Sequence, residues 1–199
     1  MTMIQMNKKI ILASNSPRRK ELLEMMKIDF VVEPSNYEED MTINLPTNEL
    51  AQVLSLGKAT DVYNKHVGEK AIIIGADTFV SIDGELLGKP KNESDAFHML
   101  KKLSDKTHLV ITGLCVIDCE TGKQFQFSDT TEVRFKKLTD NEINNYIDTK
   151  EPLDKAGSYA IQGQAAPFIE SINGDFYIVV GLPLRKLFEI LYELNAFQS

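Results

Sequence analysis

Cysteine is almost missing from this chain: Cys115 and Cys119 are the only two in 199 residues. That is too few for a disulfide framework or a four-thiolate metal site, and both thiols suit a reducing cytosol. The three histidines, His66, His98 and His108, are scattered, with no HExxH pattern and no Cys/His ligand spacing. Walker A, GxGxxG and GxSxG sequences are also missing, which excludes the chemistries that those motifs serve. No apolar run approaches the ~20 residues that span a bilayer. The opening MTMIQMNKK holds no apolar signal segment. A net charge of −7 argues against a general nucleic-acid coat, which would be basic. The expectation is a soluble cytoplasmic protein with neither a nucleic-acid nor a membrane partner.

What is present is ordinary for a globular chain, with 43% hydrophobic and 26% charged residues. The length suits one domain, or two small lobes sharing a sheet, with a sizeable core. No repeat, low-complexity stretch or linker divides residues 1–199 into independent domains. The informative stretch is IILASNSPRRKELL, residues 10–23. It reads as a buried strand, a polar Ser14-Asn15 turn, and a helix that Ser16 caps and Pro17 opens. Carboxylates normally occupy the first turn of a helix, where unpaired N–H groups leave positive charge. Arg18 and Arg19 stand there instead. They are either two solvated arginines or the dock for a phosphorylated anion. The strand–turn–helix setting favours the anion, so a local basic pocket is expected in an acidic protein.

Further along, residues 30–32 read as a second strand and 34–46 as an acidic loop holding Glu38, Glu39 and Asp40. A helix over 47–66 carries Leu50, Val53, Leu54, Gly57 and Val62 at helical spacing. Lys58 falls on that apolar stripe, where lysine is uncommon without a partner. Asp61, three residues on, is the ordinary candidate. Three consecutive isoleucines, 72–74, predict a strand buried on both faces, with Asp77 just beyond it. An acid there needs a cation, a donor or a raised pKa. Asp83-Gly84 marks a hairpin, with Lys89 at its base. A helix over 94–103 and strands over 108–118 and 124–135 follow. Thr139 to Glu142 is a capping box opening a helix to 148. The segment DKAGSYAIQGQ, 154–164, is a binding loop or a tight connection. Strands over 168–172 and 176–180 make another hairpin around Asn173-Gly174, before a last amphipathic helix over 184–194. Hairpins mixed with helices predict a mixed sheet in an α/β or α+β layout.

The remaining chemistry is carboxylates (Glu38, Glu39, Asp77) and cations (Arg18, Arg19, Lys58, Lys89). Acids that hold a hard divalent ion and cations that hold phosphate oxygens suit phosphoryl or nucleotidyl chemistry. At this point LASNSPRRKELL, GADTFV, LGKPK, DKAGSYAIQG and NGDFYIVVGLPL, in that order, resemble the Maf family of nucleoside triphosphate pyrophosphatases over nearly the whole chain.

That resemblance implies an elongated α/β fold, a mixed sheet flanked by helices, with an active-site cleft between two lobes. It implies a divalent cation (Mg²⁺ or Mn²⁺), cleavage of a nucleoside triphosphate to monophosphate and pyrophosphate, and commonly a homodimer. Carried onto this chain, the family's proton acceptor falls on Asp77, and its specificity positions on Arg18, Thr78 and Gln162. Its other phosphate and metal positions fall on Ser14, Arg19, Glu39, Lys58 and Lys89, with Asp77 shared as a metal ligand. Glu38 satisfies the same charge logic as Glu39. Water activation by the metal stands beside activation by the carboxylate. The chain is similar to the branch acting on dTTP and UTP. The 7-methyl-GTP branch typically has Trp where Arg18 stands. Rival expectations are a purine-directed pyrophosphatase and a non-catalytic nucleotide-binding regulator of septum formation.

Overall fold

A strand with apolar residues on both faces must be covered on both, and the sheet is built around one that is mostly apolar. The computed structural model describes residues 4–198. In it β3 (Ala71–Ile82) is buried at every residue but Thr78. On it lies β1 (Lys9–Leu12), parallel, from Lys9 opposite Ala71 to Leu12 opposite Ile74. The edge strand β2 (Phe30–Val32) pairs with β1, also parallel. Between these two strands runs α1 (Pro17–Met25), and α2 (Thr47–Tyr63) precedes β3. The return β4 (Glu85–Leu87) pairs antiparallel with β3 across the expected Asp83-Gly84 turn.

Then come α3 (Glu93–Leu103), β5 (Thr107–Asp118), β6 (Gln124–Phe135), α4 (Asp140–Asp148), β7 (Ile169–Asn173), α5 (Phe176–Val180) and α6 (Leu184–Glu193). Short 3₁₀ turns occupy Glu151–Asp154, Ala156–Ser158 and Ala166–Phe168. The seven strands form one mixed sheet in the order β2-β1-β3-β5-β6-β7, with β4 on β3. No described helix is long and apolar enough to cross a membrane.

The described chain divides into two compact units. The first takes the chain up to Asp77, Thr112–Asp129 and everything from Gly181 onward. The second takes Thr78–Ile111 and Thr130–Val180. The core of the first includes Ile11, Ala59, Val62, Ile73 and Ile117. Cys115 and Cys119 are buried there unpaired, and burial pushes their thiols up to about 12 and about 11. Both cysteines pack rather than react. The second core gathers Val80, Leu100, Phe135, Tyr146 and Phe168 among others.

In the first unit α2 lies hard against β3. A Cβ on Gly75 would stand 2.6 Å from the Ser55 carbonyl oxygen, so only glycine lets helix backbone meet strand backbone there. Lys58 follows Ser55 by one helical turn, and Asp77 follows Gly75 by two strand residues. The close approach therefore sets lysine and aspartate together.

Three local expectations fail. The isoleucine strand does not end before Asp77 but runs through it into the expected strand at Phe79–Ile82, because a paired acid between Ala76 and Thr78 need not break a strand. Ser16 makes no capping bond; its N–H donates to Ser14 Oγ at 3.2 Å, a local serine turn two residues back. Residues Phe176–Val180 are a helix, not a return strand. A short apolar run reads alike in either form. Here Gly174, at φ +133°, turns the chain, and Asp175 accepts the Tyr177 N–H at 2.8 Å, opening a helical turn.

Candidate active site

The first unit assembles six of the predicted site residues. Arg19 is buried, although it sits in the first turn of α1, which holds no acidic residue. Its Nε donates to the Gly181 carbonyl at 2.8 Å and its Nη1 to Ser14 Oγ at 3.0 Å. Ser14 is itself buried, so its hydroxyl links the β1 exit to the arginine. Burial pushes the Arg19 guanidinium below its ordinary value; Asp77 and Glu39 oppose that shift, and Arg18 adds to it. The group stays charged, since arginine does not deprotonate in proteins. Arg18 is half-buried beside it in the chain.

Lys58 is the hinge of the cluster. Its Nζ donates to Asp77 Oδ1 at 2.5 Å and meets Glu39 Oε1 at 2.6 Å. The Asp77 side chain is 6% exposed and that of Lys58 12%, so this is a desolvated pair, whereas Glu39 is half-exposed. The expected Lys58–Asp61 pair does not form. Asp61 instead accepts the Ser35 hydroxyl at 3.1 Å and the Asn36 N–H at 2.9 Å. The buried acid has the greater need of the cation, because water cannot solvate it.

The same Asp61 contacts fasten the start of the acidic loop to α2. Tyr37 then lies over Gly57, where any Cβ would fall 2.4 Å from its ring. That seat brings Glu39, two residues on, to Lys58. Glu38 is exposed on the same loop. No signal in the sequence announced the Gly181 carbonyl, 162 residues from Arg19.

The second unit holds the other three residues. Thr78 continues β3 after Asp77 and is half-buried; Lys89 and Gln162 are exposed. Lys89 follows the β3–β4 hairpin, and Gly88 before it accepts the Gly157 N–H at 3.0 Å. The hairpin base is thereby joined to segment 154–164, which carries Gln162 on a turn.

Chemically, the first-unit cluster offers three cations for phosphate oxygens and two carboxylate donors, one buried. Hard oxygen donors in that number suit a cation that fills its remaining positions with water and substrate phosphate. Among the described residues no group of three or more His, Cys, Asp or Glu forms a cage by itself.

The family model described as Maf-like protein matches residues 9–194. A protein of Alkaliphilus oremlandii (strain OhILAs) named dTTP/UTP pyrophosphatase is 50% identical over 184 residues, 92% of this chain and 95% of that relative. One of the same name from Bacillus pumilus (strain SAFR-032) is 49% identical over 92% of this chain and 94% of its own. A third, from Bacillus velezensis (strain DSM 23117 / BGSC 10A6 / LMG 26770 / FZB42), is 47% identical over 96% and 98%. Since the family match runs from β1 to the end of α6, the chain belongs to the Maf-like protein family.

Proposed function

We propose that this chain is a nucleoside triphosphate pyrophosphatase that hydrolyses dTTP and UTP to the monophosphate and pyrophosphate. The observation that carries the reading is the Asp77–Lys58–Glu39 cluster beside buried Arg19, in a chain about half identical to relatives of that name. Arg18, Arg19 and Lys58 neutralise phosphate oxygens, with Lys89 assigned to the same task by the family pattern. Asp77 orients the attacking water and accepts its proton, and the α-phosphorus is the centre attacked. The ammonium shared by two carboxylates fixes the Asp77 rotamer until substrate arrives. Glu39 and Asp77 would hold Mg²⁺ or Mn²⁺. Such a cation supplies charge neutralisation on the triphosphate and a more acidic bound water.

Arg18, Thr78 and Gln162 select the base. Cytosine presents an amine where thymine and uracil present a carbonyl, so a donor aimed at that carbonyl loses its partner. Thymine and uracil differ by one methyl, worth only about 1–3 kcal/mol in a pocket, so both are accepted. A homodimer, which the family resemblance implies, in the reducing cytosol that the two cysteines suit completes the reading.

The test is turnover of dTTP, UTP, CTP, GTP and ITP with Mg²⁺ or Mn²⁺, the products identified by phosphorus NMR. Monophosphate and pyrophosphate in equal amounts from dTTP and UTP are expected. Orthophosphate with a diphosphate would overturn the bond assignment, a preference for ITP the pyrimidine assignment, and binding without turnover the enzyme itself.

A further inference from the structure

Gln162 is an exposed amide in the middle of a turn, a poor place from which to read anything unless the turn is held. The second unit holds it at both ends through one pair of side chains. Tyr146, buried on α4, donates its hydroxyl hydrogen to Glu151 Oε1 at 2.8 Å. The same hydroxyl oxygen accepts the Ala160 N–H at 3.2 Å, at the entry to the turn. At the exit, the Gln164 N–H donates to both Glu151 oxygens, at 3.0 and 3.2 Å. Between them the Gly163 N–H closes on the Ala160 carbonyl at 3.0 Å. The carboxylate reaches this position only because residue 163 has no side chain: a Cβ there would stand 2.1 Å from Glu151 Oε1. The chain 160–164 thus runs from one partner of a Tyr–Glu pair to the other, with Gln162 at its centre.

We propose that Glu151, relayed through Tyr146, is a positioning residue that sets base discrimination by fixing the Gln162 turn. The inference rests on the reading above that Gln162 takes part in base selection. A carboxylate accepting backbone N–H groups makes stronger bonds than a neutral acceptor. Those bonds spend no side chain of the turn itself, so Gln162 stays free to face a ligand. Selectivity depends on where a donor stands, and a shift of about 1 Å is enough to cost a catalytic or recognition group much of its effect. Glu151 touches no substrate in this scheme; it acts on the geometry of a residue that does.

The test compares kcat/KM for dTTP, UTP, CTP and GTP among the wild type, Gln162→Ala, Glu151→Gln, Glu151→Ala and Gly163→Ala, with Tm measured for each. The expected result is a narrowing of the dTTP-over-CTP ratio by about tenfold in Glu151→Ala, the scale of one charge-assisted hydrogen bond. Glu151→Gln keeps one acceptor oxygen and should fall between Glu151→Ala and the wild type. Gly163→Ala leaves the carboxylate in the chain but expels it from the turn, so it should behave as Glu151→Ala does, even if the latter folds poorly. Adding Glu151→Ala to Gln162→Ala should narrow the ratio no further. An equal fall on all four substrates, or a lowered Tm with the ratio intact, would overturn the positioning role while Gln162→Ala alone still narrows it. An unchanged ratio in Gln162→Ala itself would overturn the base-reading assignment, and the positioning role with it.

Discussion

The charged cluster of the first unit and the Gln162 turn of the second solve opposite problems. The cluster brings side chains to side chains: Ser14, Arg19, Glu39, Lys58 and Asp77 come from five segments, and Arg19 also reaches Gly181, 162 residues away. The turn is held through backbone N–H groups, by Tyr146 and Glu151 from just before it in the chain. A buried cluster of opposite charges cancels its desolvation cost only while every member is present. A backbone-held turn can lose a holder and remain a turn, displaced. On the proposed reading, chemistry therefore depends on which side chains are present, and selectivity on where one is held.

The sharpest way to break that contrast is Asp77→Asn. The change is isosteric and leaves an acceptor oxygen for Lys58, but it removes the charge that the proposed mechanism uses to orient and deprotonate water. Loss of a positioned acid–base group costs about 10²–10⁴ in rate. The expected outcome is a kcat lowered by at least that factor on dTTP and UTP alike, with far-UV circular dichroism unchanged. Turnover near the wild-type level would make Asp77 structural.

Next in size is the contrast between two lysines that the resemblance assigns to the same task. Lys58→Met strands a buried carboxylate, and removing one partner of a buried pair typically costs about 3–5 kcal/mol. Lys89 is exposed, and Lys89→Met, like most surface changes, should stay within about 0.5 kcal/mol. Urea unfolding of both variants, without nucleotide, checks this. Equal losses would mean that the Lys58–Asp77 pair is no more sheltered than the surface.

How far the sequence disclosed this arrangement follows from the same division. Arg18, Arg19, Lys58 and Asp77 stood out because charge in those places breaks a local rule: cations at a helix start, a lysine on an apolar stripe, an acid beside three isoleucines. Which charges meet was not legible. The nearest acid to Lys58 in sequence is Asp61, yet the close approach at Gly75 delivers Asp77, 19 residues away. Strand and helix limits followed hydrophobic period and turn residues closely, down to the capping box of Thr139 and Glu142. The miss at Phe176–Val180 came where five apolar residues have no period to read. Glu151 gave no signal, because its role lies in backbone groups that every residue possesses.

The smallest effect concerns the loop that carries Glu39, and it is set by pH. His66, just past α2, bonds Glu33 through Nε2 at 2.7 Å and Glu69 through Nδ1 at 2.9 Å. Glu33 closes β2 and leads into the acidic loop. Hydrogen bonds to Glu33 and then Glu69 raise the His66 value above its ordinary 6.5, against a weaker effect of burial. The bond to His66 likewise lowers the Glu33 value below its ordinary 4.5. A raised histidine contributes stability that is complete below about pH 6.5 and is lost as pH climbs through the folded value. A lowered glutamate contributes stability that is complete above about pH 4.5 and is lost as pH falls through its folded value. The tether is therefore strongest between about pH 5 and 6.5. Glu69 is exposed and Glu33 half-buried, so solvent screens the interaction to about 0.2–1 kcal/mol. For a chain of this size that is a Tm difference of about 1–3 °C between the wild type and His66→Gln. The difference should peak in that window, fade toward pH 8–9, and shrink with added salt. A gap that stays constant from pH 5 to 9 would show that the imidazole packs there without carrying charge, leaving the Lys65–Glu33 pair, Asp61 and the Tyr37 seat to hold the loop.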